Sequence, residues 1–175
     1  MTEHRDLTMR KAERRVDDPE LIKAILSLCP VCTLAIHDEP YPYEVPLNYG
    51  FCWDDQLVIY MHMAKSGHKM DLLKKNPHVA CNMYTYLSRV HTGKYRNEMQ
   101  DYRSVTVFGK AEMITCDQKE EFLRGLNALQ LHAERASLKA APKLENLVVL
   151  KVTADAVTAK SMYPITTVSE VEMPL

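Results

Sequence analysis

The stretch that decides the fold is Leu57-Val58-Ile59-Tyr60-Met61-His62-Met63-Ala64-Lys65-Ser66-Gly67-His68-Lys69-Met70-Asp71-Leu72-Leu73-Lys74-Lys75-Asn76-Pro77. Its first part, Leu57 to Met63, is rich in β-branched, aromatic and long apolar side chains and reads as a buried strand. Leu57, Ile59, Met61 and Met63 share one face of that strand, and Val58, Tyr60 and His62 share the other. Both faces are largely apolar, so the strand is expected to be covered on both sides, as when a barrel wall also forms a subunit interface. A helix is expected from Gly67 to Asn76, with Ser66 as its N-cap and Pro77 as its stop.

The sign of the charge at the start of that helix is unusual. A helix N-terminus carries a partial positive charge and unpaired N–H groups, so a cation there costs roughly 0.3–1 kcal/mol. Lys65, His68 and Lys69 nevertheless gather at this end, whereas Lys74 and Lys75 stand at the end where cations are favourable. An anion docked on Ser66-Gly67-His68-Lys69 would turn the penalty into binding, which suits a phosphate. A solvated basic surface helix is the alternative reading of the same residues. Tyr60 and His62 are expected to point toward this place.

Working outward, 175 residues suffice for one domain with a real core. The expected organisation is a single domain over 1–175, with an N-terminal arm at 1–15 and a C-terminal tail at 161–175. A formal charge of −1 argues against nucleic acid or an anionic membrane as a main partner. No apolar run reaches the ~20 residues of a membrane span, and Met-Thr-Glu-His-Arg-Asp at the start is too polar for a secretory signal, so a cytoplasmic protein is expected. Cys29, Cys32, Cys52, Cys81 and Cys116 are scattered, four of them in or beside apolar stretches, which suits reduced thiols. Cys29-Pro30-Val31-Cys32 is formally C-x-x-C, but it follows a helix instead of opening one, so no helix dipole lowers its thiol pKa. With no second Cys or His pair beside it, zinc is not expected.

Upstream, Asp17-Asp18-Pro19-Glu20 begins a helix whose apolar face is Leu21, Ile22, Ile25, Leu26 and Leu28, ended by Pro30. Val31 to Ile36 reads as a strand and His37-Asp38-Glu39-Pro40 as a hairpin turn. Tyr41 to Trp53 is β in composition but interrupted by Pro42 and Pro46, so it lies at a sheet edge or carries a bulge. That leaves backbone groups around Val45 to Tyr49 available to a flat, hydrogen-bonding ring system, or simply blunts an edge against aggregation. Downstream, strands are expected over 78–86, 102–114 and 147–157. Residues 87–101 form a polar connection with Arg89, His91, Lys94, Tyr95 and Arg96. Asp117 and Glu120 form a capping-box pattern for a helix with Phe122, Leu123, Leu126 and Leu129 inward. About six strands with a few helices suggest an α+β, mainly β fold: an antiparallel barrel with helices packed outside it.

Three motifs in this order, P-Y-x-V-P-L-N-Y-G, then I-Y-M-H-M-A-K-S-G-H-K-M-D-L-L-K-K-N-P, then Y-R-S-V-T-V-F-G-K-A, carry a resemblance over roughly 10–160. They resemble the flavin-binding split-barrel proteins related to pyridoxamine 5′-phosphate oxidase, and within them the 5-nitroimidazole-resistance (Nim-like) subgroup. The resemblance implies a six-stranded antiparallel split β-barrel with Greek-key connections and flanking helices, a homodimer, and FMN in clefts at the subunit interface. It implies that Val45, Pro46, Leu47 and Asn48 run along the isoalloxazine and that Tyr60, Met61 and His62 line the ribityl and ring side. Gly67, His68 and Lys69, with Lys65 beside them, would hold the phosphate. Ser104 and Val105 would approach the flavin from the second subunit. His62 corresponds to the histidine placed next to the flavin and implied to be catalytic. The acidic tail Val168-Ser169-Glu170-Val171-Glu172 departs from the oxidase proper, whose C-terminal region is basic, and argues against a pyridoxine-phosphate substrate.

The expected function is therefore FMN-dependent reduction of small electron-poor molecules such as nitroaromatics. The flavin would carry the redox chemistry and His62 would pass a proton. The alternative is a flavin- or haem-binding carrier, sensor or store that turns nothing over, with His62, His68 or His78 as a potential axial ligand.

Overall fold

The computed structural model describes residues 7–91 and 98–173. The chain divides into two compact units, 29–83 with 106–157, and 1–28 with 84–105 and 158–175. Three long strands run through both.

In the larger unit, β2 (Cys32–Ile36), β3 (Tyr43–Leu47), β4 (Tyr49–Trp53) and β5 (Leu57–Ala64) are joined by short turns. The long strands β6 (His78–His91), β7 (Glu98–Ile114) and β8 (Leu147–Ser161) complete the sheet, in the order β3-β2-β6-β7-β8-β5-β4. With the two-residue strand β1 (Arg15–Val16) pairing on β8, the sheet has eight strands, where the sequence suggested six. One addition is β1. The other arises because Tyr41 to Trp53 is not one strand: it breaks at Asn48, and its halves become the two ends of the path. Only that residue separates them along the chain, so the sheet of this unit must curl until its edges approach, which makes a barrel split between β3 and β4. Pro46 sits in edge strand β3, opposite Thr33, where its missing N–H costs no ladder bond.

Helix α2 (His68–Lys75) follows β5 and buries Met70, Leu72 and Leu73. Its cap is Gly67 and not Ser66, and no side chain caps it. Gly67 has φ +120°, a backbone region that L side chains avoid, so the chain turns at this residue and the serine is left one position too early. Helix α3 (Lys119–His132) lies on the outer face of β4, β5 and β8. A Cβ on Gly50 would fall 2.2 Å from the Ala128 carbonyl carbon, and one on Gly125 would fall 2.6 Å from Val149 and 2.8 Å from the Tyr60 ring. Two glycines thus allow unusually close helix–sheet contact. Phe122, Leu126 and Ala128 close over Tyr60, Ile114 and Val149, and each large apolar side chain so buried contributes about 1.5–3 kcal/mol. The expected Asp117/Glu120 capping box does not form: Gln118 is the N-cap, and its side chain accepts the Thr115 N–H at 3.1 Å. Leu123 and Leu129 are only partly buried, and the helix ends at His132.

In the smaller unit, α1 (Pro19–Leu28) buries Leu21, Ile22, Ile25 and Leu26 and packs on α4 (Val168–Glu172). The Asp18 carboxylate accepts the Glu20 N–H at 2.8 Å. Helix α4 carries the capping box that α3 lacks, between Thr167 and Glu170. A five-residue helix is too short for periodicity to reveal. Strands β6 and β7 take up 87–91 and 98–101 of the segment expected to be a connection, and 92–97 lie outside the described residues. Also in this unit, Arg103 and Asp101 form a fully buried ion pair. Arg103 donates further to the carbonyls of Tyr102 at 3.2 Å and Glu170 at 3.3 Å.

All five thiols are free. Burial pushes the Cys29 thiol up to about 12, which suits an inert structural residue.

Candidate functional site

Strand β5 is covered on both faces as far as Met61. Up to Tyr60 the outer face lies beneath the helix, and the Tyr60 hydroxyl donates to the Glu121 carboxylate at 2.6 Å. Lys151, opposite Tyr60 on β8, closes the group with its ammonium 3.2 Å from the same carboxylate. Desolvation raises the Glu121 pKa, but the Tyr60 and Lys151 hydrogen bonds outweigh it and leave the group ionised below the usual carboxylate range. Two residues further on, His62 emerges exposed on the same face. Neighbouring protein still strips enough water from its ring to push its pKa down, with Lys69 repulsion as the second cause.

The chain passes from the end of β5 at Ala64 to the start of α2 at His68 within four residues. The Lys65 N–H donates to the Asn146 carbonyl at 3.1 Å, which fixes how the chain leaves the strand. Gly67 then leaves open space, since a Cβ there would meet nothing within 4 Å. Among the described residues neither Lys65 nor Lys69 has a carboxylate in ion-pair contact. An uncapped helix start, open space and two unpaired ammonium groups form a donor set that fits a phosphate.

His68 is differently placed. Its Nε2 lies 2.8 Å from Asp38 of the β2–β3 turn, and its ring meets Tyr43 edge-on at 5.5 Å. Through Tyr43 this contact also fixes β3 beside α2. Along β3, Val45 and Leu47 are half-buried on the Tyr43 face, while Pro46 and Asn48 are exposed. Val45, Pro46, Leu47, Asn48, His62, Lys65, Gly67, His68 and Lys69 therefore belong to consecutive pieces of the larger unit. Tyr60, although on the His62 face, is 1% exposed and engaged with Glu121, and Met61 is fully buried in the barrel interior. Ser104 and Val105 lie in the smaller unit, Ser104 half-buried and Val105 fully buried.

Sequence reasoning missed Asp38, Tyr43, Glu121 and Lys151. Asp38 is 30 residues from His68 and Glu121 is 61 from Tyr60, so no local spacing signals either contact. Among the described residues no group of three or more His, Cys, Asp or Glu is placed to hold a metal ion, and no helix is long and apolar enough to cross a membrane.

A curled antiparallel sheet, open between two consecutive strands and flanked by a helix with a cationic start, defines the class: split-barrel proteins. The sequence pattern of the pyridoxamine 5′-phosphate oxidase family matches residues 18–161. The chain belongs to that family, and its fold is a flavin-binding one. Among solved structures it is similar to a candidate 5-nitroimidazole antibiotic resistance protein from Bacteroides thetaiotaomicron, at 26% identity and a TM-score of 0.71, over 84% of this chain and 86% of the other. It is also similar in fold to the FAD and heme binding protein from Mycobacterium smegmatis, at 21% identity and a TM-score of 0.69 over 91% and 78% of the two chains. The flavocytochrome Anf3 from Azotobacter vinelandii gives 20% identity and a TM-score of 0.70 over 96% and 79%. No curated protein is similar enough to count as a match.

Proposed function

We propose that this protein is an FMN-dependent reductase of small electron-poor molecules, nitroaromatics among them, working as a homodimer. The observation that carries the reading is the open, uncapped start of α2, directly after the strand that carries exposed His62, inside a fold of a flavin-binding family.

In this reading Lys65, Lys69 and the N–H groups after Gly67 hold the FMN phosphate, with His68 beside them. Val45, Pro46, Leu47 and Asn48 on the edge strand offer backbone groups and half-buried side chains to the ring system. Met61 and Tyr60 support the site from within the wall, and Ser104 and Val105 belong to the approach from the partner subunit. The bound flavin supplies the electrons. His62 supplies the proton that a reduced nitro group takes up, and its lowered pKa makes the imidazolium a stronger acid than an ordinary histidine. Tyr84 and Tyr86, 65% and 45% exposed on one face of β6, support an aromatic surface that a partner subunit covers.

A second reading, a flavin- or haem-binding protein without turnover, is favoured by the likeness in fold to the two haem- and flavin-containing proteins. One experiment separates the two. The purified protein is loaded with FMN, and NAD(P)H oxidation is followed with a nitroaromatic acceptor. Steady turnover that needs both FMN and acceptor supports the reductase. Stoichiometric flavin uptake with no turnover supports the carrier, and a protein that takes up no FMN defeats the reductase reading.

A further inference from the structure

Asp38 is a carboxylate brought to the cationic start of α2 from another element, in addition to Asp71 of the helix's own first turn, which lies 3.9 Å from Lys74. Asp38 reaches that place from the β2–β3 turn, with its Oδ2 2.8 Å from His68 Nε2 and its Oδ1 accepting the Glu39 N–H at 2.9 Å. The His68 hydrogen bond is the main reason its carboxyl is held below the usual range, and the Lys75 charge adds a smaller push in the same direction. Asp38 is therefore an anion already lodged at a helix start that otherwise collects Lys65, His68 and Lys69. In such a place an anion is favourable whether it comes from the protein or from a ligand.

We infer that Asp38 is an internal competitor for the anion site: it ties up His68 and thereby weakens the hold of the α2 start on a phosphate monoester. The inference rests on the phosphate-site reading above and concerns its regulation. With His68 protonated, the Asp38–His68 pair is neutral, and with His68 neutral it carries a net negative charge. In neither state does the pair add the positive charge that His68 alone could add. A ring N–H donated to Asp38 is also not available to a phosphate oxygen. Tyr43, packed edge-on against the same ring, holds His68 in the orientation that Asp38 uses. A phosphate that recruits His68 must therefore displace the carboxylate, so the β2–β3 turn and the phosphate compete for one side chain.

The test uses FMN and riboflavin, which differ only in the phosphate, titrated into the full chain while flavin fluorescence is followed. Asp38→Asn keeps the Oδ1 that accepts the Glu39 N–H, so the turn is retained. It should tighten FMN binding about two- to fivefold, as expected for removing one exposed charge contact, and leave riboflavin binding unchanged. In a His68→Ala background the same substitution should have no effect on FMN. Wild-type protein that binds FMN while Asp38→Asn binds it equally or more weakly overturns the inference and leaves the flavin reading intact. The inference is also overturned if riboflavin tightens as much as FMN, or if the tightening persists without His68. Wild-type protein that takes up neither compound overturns the flavin reading, and this inference with it.

Discussion

His62 and Tyr60 stand two residues apart on the same face of β5, and α3 gives them different lives. Tyr60 is clamped under the helix by Glu121, and His62 is left at the surface. Replacing Tyr60 with Phe removes one charge-assisted hydrogen bond and should lower stability by about 1.5–3 kcal/mol in urea unfolding, while FMN affinity stays within twofold. His62→Gln should do the reverse: nearly unchanged stability at pH 8 and a 10²-fold or greater loss of nitroaromatic turnover, read as kcat. The pH dependence has a definite sign. Because the folded pKa of His62 is depressed, the unfolded chain takes up this proton first as pH falls. Protonating His62 therefore costs stability: the cost is absent above the ordinary value of 6.5 and fully present once pH has dropped through the lowered folded value. The difference in unfolding free energy between wild type and His62→Gln should change only below pH 6.5. The turnover of the wild type should decline as pH rises past the lowered pKa, a limb that His62→Gln lacks.

At the scale of elements, close contacts at Gly50 and Gly125 hold α3 on the sheet, and a positive φ at Gly67 sets the start of α2. Gly125→Ala places a Cβ 2.6 Å from Val149 and 2.8 Å from Tyr60, contacts that side-chain shifts can relieve, at a cost of about 1–3 kcal/mol. Gly50→Ala meets the Ala128 backbone at 2.2 Å, which can be relieved only by lifting the helix. Gly50→Ala should therefore be the more destabilising of the two by thermal melting, and the opposite ranking would contradict the packing of α3. Gly67→Ala is a different case, since its Cβ has open space and the strain lies in φ +120° alone. It should cost about 1–3 kcal/mol and weaken FMN more than riboflavin by disturbing the helix start. In the smaller unit, Arg103→Met leaves the Asp101 carboxylate buried without its cation and should cost about 3–5 kcal/mol, with α4 the first element to lose hydrogen-exchange protection.

For the whole molecule, the reductase reading requires a dimer with flavin at its interface. Sedimentation should give twice the 20.1 kDa chain mass, and Tyr84→Glu should shift the protein toward monomer and lower FMN stoichiometry together. Much of the architecture was legible in advance because it rests on local chemistry. Pro19 and Leu28 bound α1 as the Asp-Asp-Pro start and Pro30 stop indicate, and the apolar run from Leu57 is β5. Less legible were features that local pattern misplaces: the Ser66 cap, the capping box, the division at Asn48, and the polar residues after Tyr86 that prolong β6.

The sequence by itself determined the longer strands, the helices α1, α2 and α3, the family, and the cationic start of α2, because periodicity, turn residues and charge order are properties of neighbours along the chain. The tertiary structure alone decided that Tyr60 belongs to Glu121, that His62 is left exposed on the face where Tyr60 is covered, and that Asp38 sits on His68. The physical reason is that each of these is a pairing between side chains 30 or more residues apart, or depends on which part of a sheet face is covered. Such pairings are chosen by packing and by the need to satisfy buried polar groups, and nothing in the local sequence encodes them.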